Sequence, residues 1–449
     1  MFESWRASGR EIAVVGLGRS GVAAGLLLRH EGLPVYASDV GQGNSYDQWA
    51  AELRAAGAVV QLGGHDLERL GRAVAVVVAP GVPPDVPALE AARAAQVPIL
   101  AEVDVGFVAL GGRSRVAAVT GTNGKTTTTS LVAHLFQAGG LDAIAAGNIG
   151  LPLCRVALEP PPAWIALELS SFQLHDSPDL HPDIGVLTNL ASNHLDRYHS
   201  IEEYYGDKAR LFANAVDSSV WITNDDDVAV EEMVAGVPGK HLRFSVETQS
   251  DGWYDRSTGR LMLGHESLLV RDQLPLLGDH NVANALAASL VAREAGVGLP
   301  AIAAGLRTFR PIPHRVEPIR VVDGVLWIND SKSTNITSTE VAIDALDRPF
   351  VLLLGGRHKG EPYTRLIRRL AERCRAVVAY GEAGPLIEQD LGTAVPVVTA
   401  GNFAEVLGEA RRLAQAGDAV LLSPACSSYD MFRNYEERGD RFRAAVEAM

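Results

Sequence analysis

The sequence predicts an α/β protein with three domains, each built around its own largely parallel β-sheet. Its 449 residues correspond to about three domains at roughly 150 residues each. Short apolar runs alternate with helical patterns along most of the chain, which is typical of parallel strands covered by helices on both faces. Two glycine-rich loops each follow a strand and precede a helix, which is the order expected of nucleotide-binding βα units.

Composition and charge narrow the possible partners and the compartment. Lys and Arg total 40 against 54 Asp and Glu, and this net charge of −14 argues against nucleic acid or anionic lipid as the main partner. Cys154, Cys374 and Cys426 are widely spaced without a CxxC pair, which favours reduced thiols. Neither a signal peptide pattern nor an apolar stretch of roughly 18 residues is present. We therefore expect a cytoplasmic protein with no membrane partner.

The first predicted domain covers residues 1–111 and begins as a βαβ unit. Its expected elements are a strand at 11–18, a helix at 20–30, and strands at 34–38, 73–79 and 97–100. The polar patch Gly111-Gly112-Arg113 separates it from a new strand.

The second predicted domain covers residues 112–311 and ends in the proline-rich stretch at 310–313, which cannot continue a helix. Its expected elements are a strand, loop and helix at 116–137, strands at 164–169, 184–190 and 220–224, and a helix at 280–296. Residues 242–270 predict a small β excursion that turns at residues 255–259.

The third predicted domain covers residues 312–449. A hairpin is expected to turn at Asp323-Gly324. Alternating strands and helices then follow at residues 350–354, 363–373, 376–380, 403–416 and 419–423.

The strongest functional motif is the loop after the strand at residues 116–120. It consists of Gly121, Thr122, Asn123, Gly124, Lys125, Thr126 and Thr127. Backbone N–H groups and the following helix N-terminus favour a phosphate there, Lys125 can reach terminal phosphates, and Thr126 can join a magnesium shell. The strict GxxxxGK[ST] pattern fails because Val119 replaces its first glycine, so an ordinary βα turn remains the alternative.

Another glycine motif, which is the first along the chain, runs from Gly16 through Gly18 and Ser20 to Gly21, and Asp39 ends the next strand. This spacing is typical of a dinucleotide site and, taken alone, suggests NAD. The alternative is that the glycines only permit close packing of helix and strand. The motif predicts a nucleotide-shaped crevice without identifying the nucleotide.

Polar residues also follow several other strands. Glu168 ends the strand at residues 164–169, where a carboxylate can bind magnesium, and His194 follows the next strand. In the third domain, residues 329–335, 355–360 and 423–428 each place polar side chains after a strand. Because the carboxyl ends of parallel strands share one edge of a sheet, these three clusters predict a single functional face.

Together these segments resemble the Mur ligase family over essentially the whole chain. The family marks are residues 121–127 and 147–150, Glu168, His194, His280, Asn281, Asn284, His314 and Arg315. Marks typical of the members that add D-glutamate are residues 168–174, 329–335 and 423–430, with Phe432, Asn434, Tyr435 and Gly439. The resemblance implies a Rossmann-like N-terminal domain, a central P-loop ATPase-like domain with a parallel sheet and a small β excursion, and a C-terminal Rossmann-like α/β domain.

The resemblance also implies a reaction. ATP would phosphorylate the alanine carboxylate of UDP-N-acetylmuramoyl-L-alanine, and the amine of D-glutamate would displace phosphate from the acyl phosphate, in peptidoglycan precursor biosynthesis. The implied ATP residues are 121–127, Asn281, Asn284, Arg315, Asp330 and Lys332. Closure of the third domain over the second would then complete the ATP site.

Two magnesium sites are implied. Their ligands would be Thr126, Glu168, His194 and Lys208, the last carrying a carbamate derived from carbon dioxide. Lys125, Glu168, His194 and Lys208 are thus the implied catalytic residues. Lys208 read alone is an ordinary helix lysine, and only the resemblance gives it this role.

The substrate residues follow in the same way. For the UDP substrate they are Gly18, Ser20, Asp39, Asn148, Ser170, Gln173 and His194. For D-glutamate they are Thr334, Lys359, Ser428, Tyr429 and Tyr435. The enzyme is expected to work as a monomer.

The sequence departs from the family pattern at Val40-Gly41, at Asn193 and at Arg357-His358. Three other readings stay open: a different amide ligase such as folylpolyglutamate synthase, a nicotinamide oxidoreductase, and a non-enzymatic ATP-dependent binding module. The preference for D- or L-glutamate also stays open, since the same cations and hydroxyls can bind either enantiomer.

Overall fold

Three β-sheets organise the protein in the computed structural model, which describes residues 1–191, 198 and 200–449. The predicted fold class is confirmed, because each sheet is mainly parallel and alternates with helices. The chain forms two compact units: residues 1–273 with 283–307, and residues 274–282 with 308–449. The first unit contains two sheets and the second unit contains one. The domain boundaries at residues 111 and 311 stay predictions.

The strands of the first unit are β1 (Ile12–Val15), β2 (Val35–Asp39), β3 (Val59–Leu62), β4 (Val76–Val78), β5 (Ile99–Ala101), β6 (Arg115–Thr120), β7 (Ala143–Gly147), β8 (Trp164–Glu168), β9 (Ile184–Leu187), β10 (Val220–Asn224), β11 (Lys240–Ser245), β12 (Gly252–Asp255), β13 (Arg260–Leu263) and β14 (Glu266–Val270). Those of the second unit are β15 (Glu317–Val322), β16 (Val325–Asn329), β17 (Phe350–Gly355), β18 (Cys374–Tyr380), β19 (Val397–Ala400) and β20 (Ala419–Leu422).

The α-helices up to residue 294 are α1 (Phe2–Ser8), α2 (Arg19–His30), α3 (Asn44–Ala55), α4 (Leu67–Arg72), α5 (Pro87–Ala94), α6 (Glu102–Leu110), α7 (Lys125–Ala138), α8 (Leu153–Ala157), α9 (Ser171–His175), α10 (Ile201–Ala209), α11 (Val228–Val234) and α12 (Asp279–Glu294). The remaining helices are α13 (Leu299–Thr308), α14 (Ile336–Asp344), α15 (Ile367–Arg373), α16 (Gly384–Leu391), α17 (Phe403–Leu413) and α18 (Tyr435–Glu447). Short 3₁₀ turns lie at Arg210–Phe212, Arg271–Gln273 and Tyr363–Leu366.

The first sheet has the strand order β3-β2-β1-β4-β5 and is parallel throughout. Its central strands are buried along their whole length, as expected of a parallel sheet with helices on both faces. The direction of the strand order reverses at β1, and such a reversal opens a crevice at the carboxyl ends of the strands. The first glycine motif therefore lies at the place where this sheet can bind a ligand.

The second sheet has the order β14-β13-β12-β11-β10-β9-β6-β8-β7. The strands from β7 to β12 in this order pair in parallel with one another. Strand β13 pairs antiparallel with both β12 and β14, and these strands form the predicted β excursion. The turn between β12 and β13 begins after Asp255, whose carboxylate accepts hydrogen bonds from the N–H and hydroxyl groups of Ser257 and Thr258. The central strand β6 lies between β8 and β9, so the loops after all three strands meet at one edge.

The third sheet has the order β15-β16-β20-β17-β18-β19, and only the β15–β16 hairpin is antiparallel among its described pairs. Asp323 adopts a φ of 51° and Gly324 a φ of 79° in the hairpin turn, which is the left-handed geometry that the Asp-Gly pair favours. Strands β16, β20 and β17 are adjacent, so the three predicted polar clusters follow neighbouring strands. None of the helices in the described part of the chain is long and apolar enough to cross a membrane.

Helix α6 carries a buried carboxylate that contacts the amino end of α8. Glu102 is 1% exposed, and its Oε1 accepts a hydrogen bond from the backbone N–H of Cys154 at 2.6 Å. Its Oε2 is buried and has no hydrogen-bond partner in the described part of the chain. Burial raises the pKa of Glu102 to about 7. The fold therefore favours the protonated form of this side chain.

Glu102→Gln is expected to stabilise the protein at pH 8 and to have little effect near pH 3.5. Near pH 3.5 the carboxyl is largely protonated in both the folded and the unfolded state, whereas at higher pH the unfolded state gains stability by ionising and the folded state does not until about pH 7. The amide keeps the acceptor oxygen and removes this penalty of roughly 3 kcal/mol. Denaturant unfolding of both proteins at the two pH values measures it, with the exposed Glu90→Gln as the matched control. Equal effects at both pH values would contradict the assignment.

Candidate active site

The predicted phosphate loop lies between β6 and α7 and is held by a neighbouring strand end. Gly121 and Gly124 have φ values of 143° and 80°, which residues with a side chain rarely adopt. The loop is fixed by hydrogen bonds from Thr122 N–H to the Asn189 carbonyl at 2.9 Å and from the Thr188 hydroxyl to the Asn123 carbonyl at 2.6 Å. The glycines thus permit a loop geometry that the segment after β9 holds in place.

Lys125 and Lys208 converge on this loop. Lys125 Nζ donates to the carbonyls of Gly121 and Thr122, both at 2.9 Å, and Lys208 Nζ donates to the same Gly121 carbonyl at 2.8 Å. Lys208 is 1% exposed, and its Nζ lies 4.7 Å from the centre of the Tyr204 ring. Burial, together with the charge of Lys125, holds the pKa of Lys208 well below its usual value. The structure thus brings two predicted catalytic residues to one carbonyl oxygen.

Glu168 presents a buried carboxylate beside the same loop. It ends β8 in register with Val119 of β6, and it is 2% exposed. One carboxylate oxygen accepts a hydrogen bond from Asn148 Nδ2 at 2.9 Å, while Oε2 is buried and receives no hydrogen bond from the described residues. A buried carboxylate oxygen without a protein donor fits a divalent cation. Thr126, in the first turn of α7, is half-buried, and His194 lies outside the described residues.

Asn284 lies against the amino end of α7. Its Oδ1 accepts a hydrogen bond from the Thr128 hydroxyl at 3.1 Å, and a Cβ added at Gly124 would come within 2.4 Å of that oxygen. Asn284 therefore belongs to the phosphate-loop region of the first unit. Asn281, by contrast, lies in the second unit, where its amide donates to the Leu277 carbonyl at 2.8 Å.

A cavity of about 660 Å³ lies at the carboxyl end of the first sheet. Its lining includes most of the residues predicted to bind the UDP substrate, namely Gly18, Ser20, Asp39, Asn148 and Gln173. A cavity of this size can hold a ligand as large as a nucleotide. The structure therefore brings residues from the first and second sheets to one cavity. Ser170 instead caps α9, where its hydroxyl accepts the Gln173 N–H at 3.2 Å.

The glycines of the first motif have different roles. A Cβ on Gly21 would lie 1.8 Å from the Gly16 carbonyl oxygen, so this glycine is required for close packing of α2 against the loop. A Cβ on Gly18 would meet nothing within 4 Å, because the position faces open space. The packing explanation thus holds for Gly21, whereas Gly18 is free to approach a ligand.

Both carboxylate oxygens of Asp39 already accept backbone hydrogen bonds. Leu17 N–H donates to Oδ2 and Gly41 N–H donates to Oδ1, both at 2.6 Å. Asp39 therefore positions the glycine loop as well as lining the cavity. The departure at Val40 leaves an exposed apolar side chain in the lining.

Among the lining residues that the sequence did not predict are Arg19, Tyr46, Trp49 and His65. Tyr46 and Trp49 lie three residues apart on α3, and their rings meet edge to face at 5.5 Å. That helical spacing directly after the Asp39 loop was a usable signal. His65 contacts the Ser38 hydroxyl at 2.9 Å, and no sequence pattern linked these two residues.

In the second unit, Asp330 anchors the segment that carries Arg315. Its carboxylate accepts hydrogen bonds from the Val316 N–H at 3.1 Å and from the Ser423 hydroxyl at 2.8 Å. His314 and Val316 have φ values of 65° and 41°, so Arg315 lies between two strained residues. Burial raises the pKa of Asp330 to about 6. Asp330 thus holds the segment that carries Arg315, and both residues were predicted to bind ATP.

Two of the five residues predicted to bind glutamate contact each other: Lys359 Nζ lies 3.3 Å from the Thr334 hydroxyl. A third, Tyr435, has its hydroxyl 3.3 Å from the Nζ of Lys332, which was predicted to bind ATP. Burial raises the pKa of Tyr435 to about 12. Ser428 is buried, whereas the Tyr429 side chain is 65% exposed.

Comparisons with known proteins agree with this arrangement. Three family models match in order: a Mur ligase MurD-like N-terminal domain at residues 10–101, a Mur ligase middle domain at 119–292 and a Mur ligase glutamate ligase domain at 314–426. The chain is also 41% identical to UDP-N-acetylmuramoylalanine--D-glutamate ligase of Salinibacter ruber, over 97% of either chain. The chain belongs to the Mur ligase family. This confirms the resemblance drawn from the motifs.

Other relatives of this Mur ligase are similar over their full length. It is 37% identical to the ligase of the same name from Pelotomaculum thermopropionicum, over 97% of either chain. Among solved structures, MurF from Acinetobacter baumannii matches with a TM-score of 0.61 at 18% identity, covering 97% of this chain and 93% of that one. At that identity the structural match bears on the fold alone, and it agrees with the three-sheet architecture.

Proposed function

We propose that this Mur ligase uses ATP to join D-glutamate to UDP-N-acetylmuramoyl-L-alanine. The observation that carries the proposal is the 41% identity, over nearly the full length, to a relative named for that reaction. The alanine carboxylate takes the γ-phosphoryl group of ATP, giving an acyl phosphate and ADP. The glutamate amine then forms the amide bond, and phosphate and a proton leave.

The phosphate loop supports the first step. The first turn of α7 and its glycines offer backbone N–H groups to an anion, and Lys125 lies within reach of the loop. Phosphoryl transfer depends mainly on positioning and charge stabilisation, so no covalent enzyme intermediate is needed. Lys125 would orient the terminal phosphates, exchanging its two loop carbonyls for phosphate oxygens.

Magnesium fits the residues around Glu168. The buried Oε2 without a donor is the observation in its favour. Thr126, Glu168, His194 and a carbamate on Lys208 would hold two ions. Magnesium, when bound, neutralises negative charge on phosphoryl oxygens. The role of His194 rests on the family pattern.

A carbamate on Lys208 is a separate part of the proposal. Only an uncharged amine attacks carbon dioxide; the N–C bond forms and a proton leaves. The buried Nζ, hydrogen-bonded to a carbonyl and close to Lys125, is in a site that disfavours an ammonium ion. The carbamate replaces that charge with a carboxylate-like anion that a magnesium ion can bind.

The two substrates have separate supporting observations. The 660 Å³ cavity would bind the UDP substrate, with Arg19 supplying a cation for its diphosphate. The Thr334–Lys359 pair and the Tyr435 hydroxyl would meet the carboxylates of glutamate. Cytoplasmic location, the monomeric state and the glutamate roles stay predictions.

The test is amino-acid-dependent phosphate release. Purified protein is given ATP, magnesium and UDP-N-acetylmuramoyl-L-alanine, with D-glutamate, L-glutamate, D-alanine, lysine or no amino acid. Release is expected only with D-glutamate, together with a product whose mass includes one added glutamate. A preference for L-glutamate would overturn the stereochemical assignment, and no release with any amino acid would overturn the ligase assignment.

A further inference from the structure

Helix α18 carries a completely buried arginine that contacts the loops of the third sheet. Arg438 is 0% exposed. Its Nε donates to the Ser331 hydroxyl at 2.9 Å, Nη2 donates to the Ser331 carbonyl at 2.7 Å, and Nη1 donates to the Cys426 carbonyl at 3.2 Å. One guanidinium therefore links the loop after β16 to the loop after β20.

The same side chain also lies against the loop after β17. A Cβ on Gly356 would lie 2.3 Å from the Ser427 carbonyl oxygen and 3.3 Å from Arg438 Nη1, so this loop passes close to both. Arg357 and Ser427 exchange backbone hydrogen bonds at 2.9 and 3.2 Å, which ties this loop to the one after β20. Arg438 thus underlies three loops that follow three adjacent strands.

Among the described residues, Arg438 forms no ion pair with a carboxylate. Its guanidinium donates to two carbonyls and one hydroxyl, and it lies near the Tyr380 side chain. Burying a cation is costly unless hydrogen bonds of good geometry satisfy it. The planar fork of a guanidinium can hold several acceptors in fixed directions, which a single ammonium cannot do.

We propose that Arg438 is a positioning residue for the amino acid substrate. Its contacts lie next to the predicted glutamate residues along the chain: Ser331 is three residues before Thr334, Gly356 is three before Lys359, and Cys426 is two before Ser428. Fixing the three loops on one guanidinium fixes the spacing of these side chains. This inference rests on the proposed function of the same face.

The test is steady-state kinetics of Arg438→Lys and Ser331→Ala. Arg438→Lys keeps the charge and loses the fork, whereas Ser331→Ala removes the hydroxyl that accepts from Nε and donates to the Tyr435 carbonyl at 2.8 Å, with little change in packing. We expect the KM for D-glutamate to rise about tenfold or more in Arg438→Lys and several-fold in Ser331→Ala. The KM for UDP-N-acetylmuramoyl-L-alanine should change less than about twofold, because its predicted residues lie in the first unit.

Arg441→Lys is the matched control, since Arg441 lies on the same helix and forms an exposed ion pair with Glu437. It should leave every KM unchanged. An unchanged KM for D-glutamate in both test variants, with a lower melting temperature, would overturn the proposal and leave Arg438 a structural role. If Arg438→Lys does not fold, Ser331→Ala decides alone. Failure of the proposed ligase function can be distinguished from failure of the Arg438 proposal, because the unmodified protein would then release no phosphate with D-glutamate.

Discussion

Lys125→Ala is expected to reduce ATP turnover by roughly a thousandfold or more while the fold persists. Lys125 is the first residue of α7, and its Nζ donates to the loop carbonyls of Gly121 and Thr122, both at 2.9 Å. Those carbonyls can be solvated when the side chain is removed, so the loss to folding is small. Terminal phosphates, in contrast, would lose the cation that neutralises them.

Phosphate release measures this effect, and thermal unfolding verifies the fold. Lys240→Ala is the matched control, because Lys240 is exposed and pairs with Glu294 on the surface. Its turnover should equal that of the unmodified protein. Turnover by Lys125→Ala at the native rate would mean that the loop at residues 121–127 does not bind the phosphates of ATP.

The central strands of each sheet could be predicted because burial leaves a continuous apolar run. The strand predicted at residues 220–224 is β10 with the same bounds, and the Asp323-Gly324 hairpin is confirmed. Three strands were not predicted: β3, β7 and β19. Each lies at an edge of its sheet, and β3 and β19 have mostly exposed or half-buried positions. An edge strand with a single neighbour keeps too little apolar character to distinguish it from a loop.

The candidate site was predictable where its polar residues stand at the end of a strand or directly after one in the sequence. The phosphate loop, Glu168 and the three polar clusters of the third sheet are of this kind. Residues that reach a site from another element were not predictable. Arg438 lies more than a hundred residues after Ser331 in the chain, and in the sequence it is one of several charged residues on a polar helix. Only packing shows that it is buried beneath the loops.

For Lys208, the local sequence indicated a solvent-exposed side chain, whereas the structure buries it. Helix α10 contains Glu202, Glu203 and Asp207 around it, a pattern typical of a solvated helix. The structure instead buries Lys208 against Gly121 and the Tyr204 ring. A buried lysine beside a second lysine, with no ion pair to a carboxylate among the described residues, is unusual, and this is the observation behind the carbamate proposed for Lys208.

Lys208→Ala is expected to lower ligase activity by about a thousandfold, and added formate or acetate should restore part of it. The shortened side chain leaves space beside Gly121, and a small carboxylate can place its oxygens where the carbamate would have been. Lys208→Arg is the matched control, since it fills the space, stays cationic and should be inactive with or without formate. NMR of the native protein in isotope-labelled bicarbonate should show a carbamate signal that is absent from both variants. Native-level activity of Lys208→Ala, or the absence of both rescue and carbamate signal, would exclude the modification and leave Glu168 and Thr126 as the described candidates for the metal.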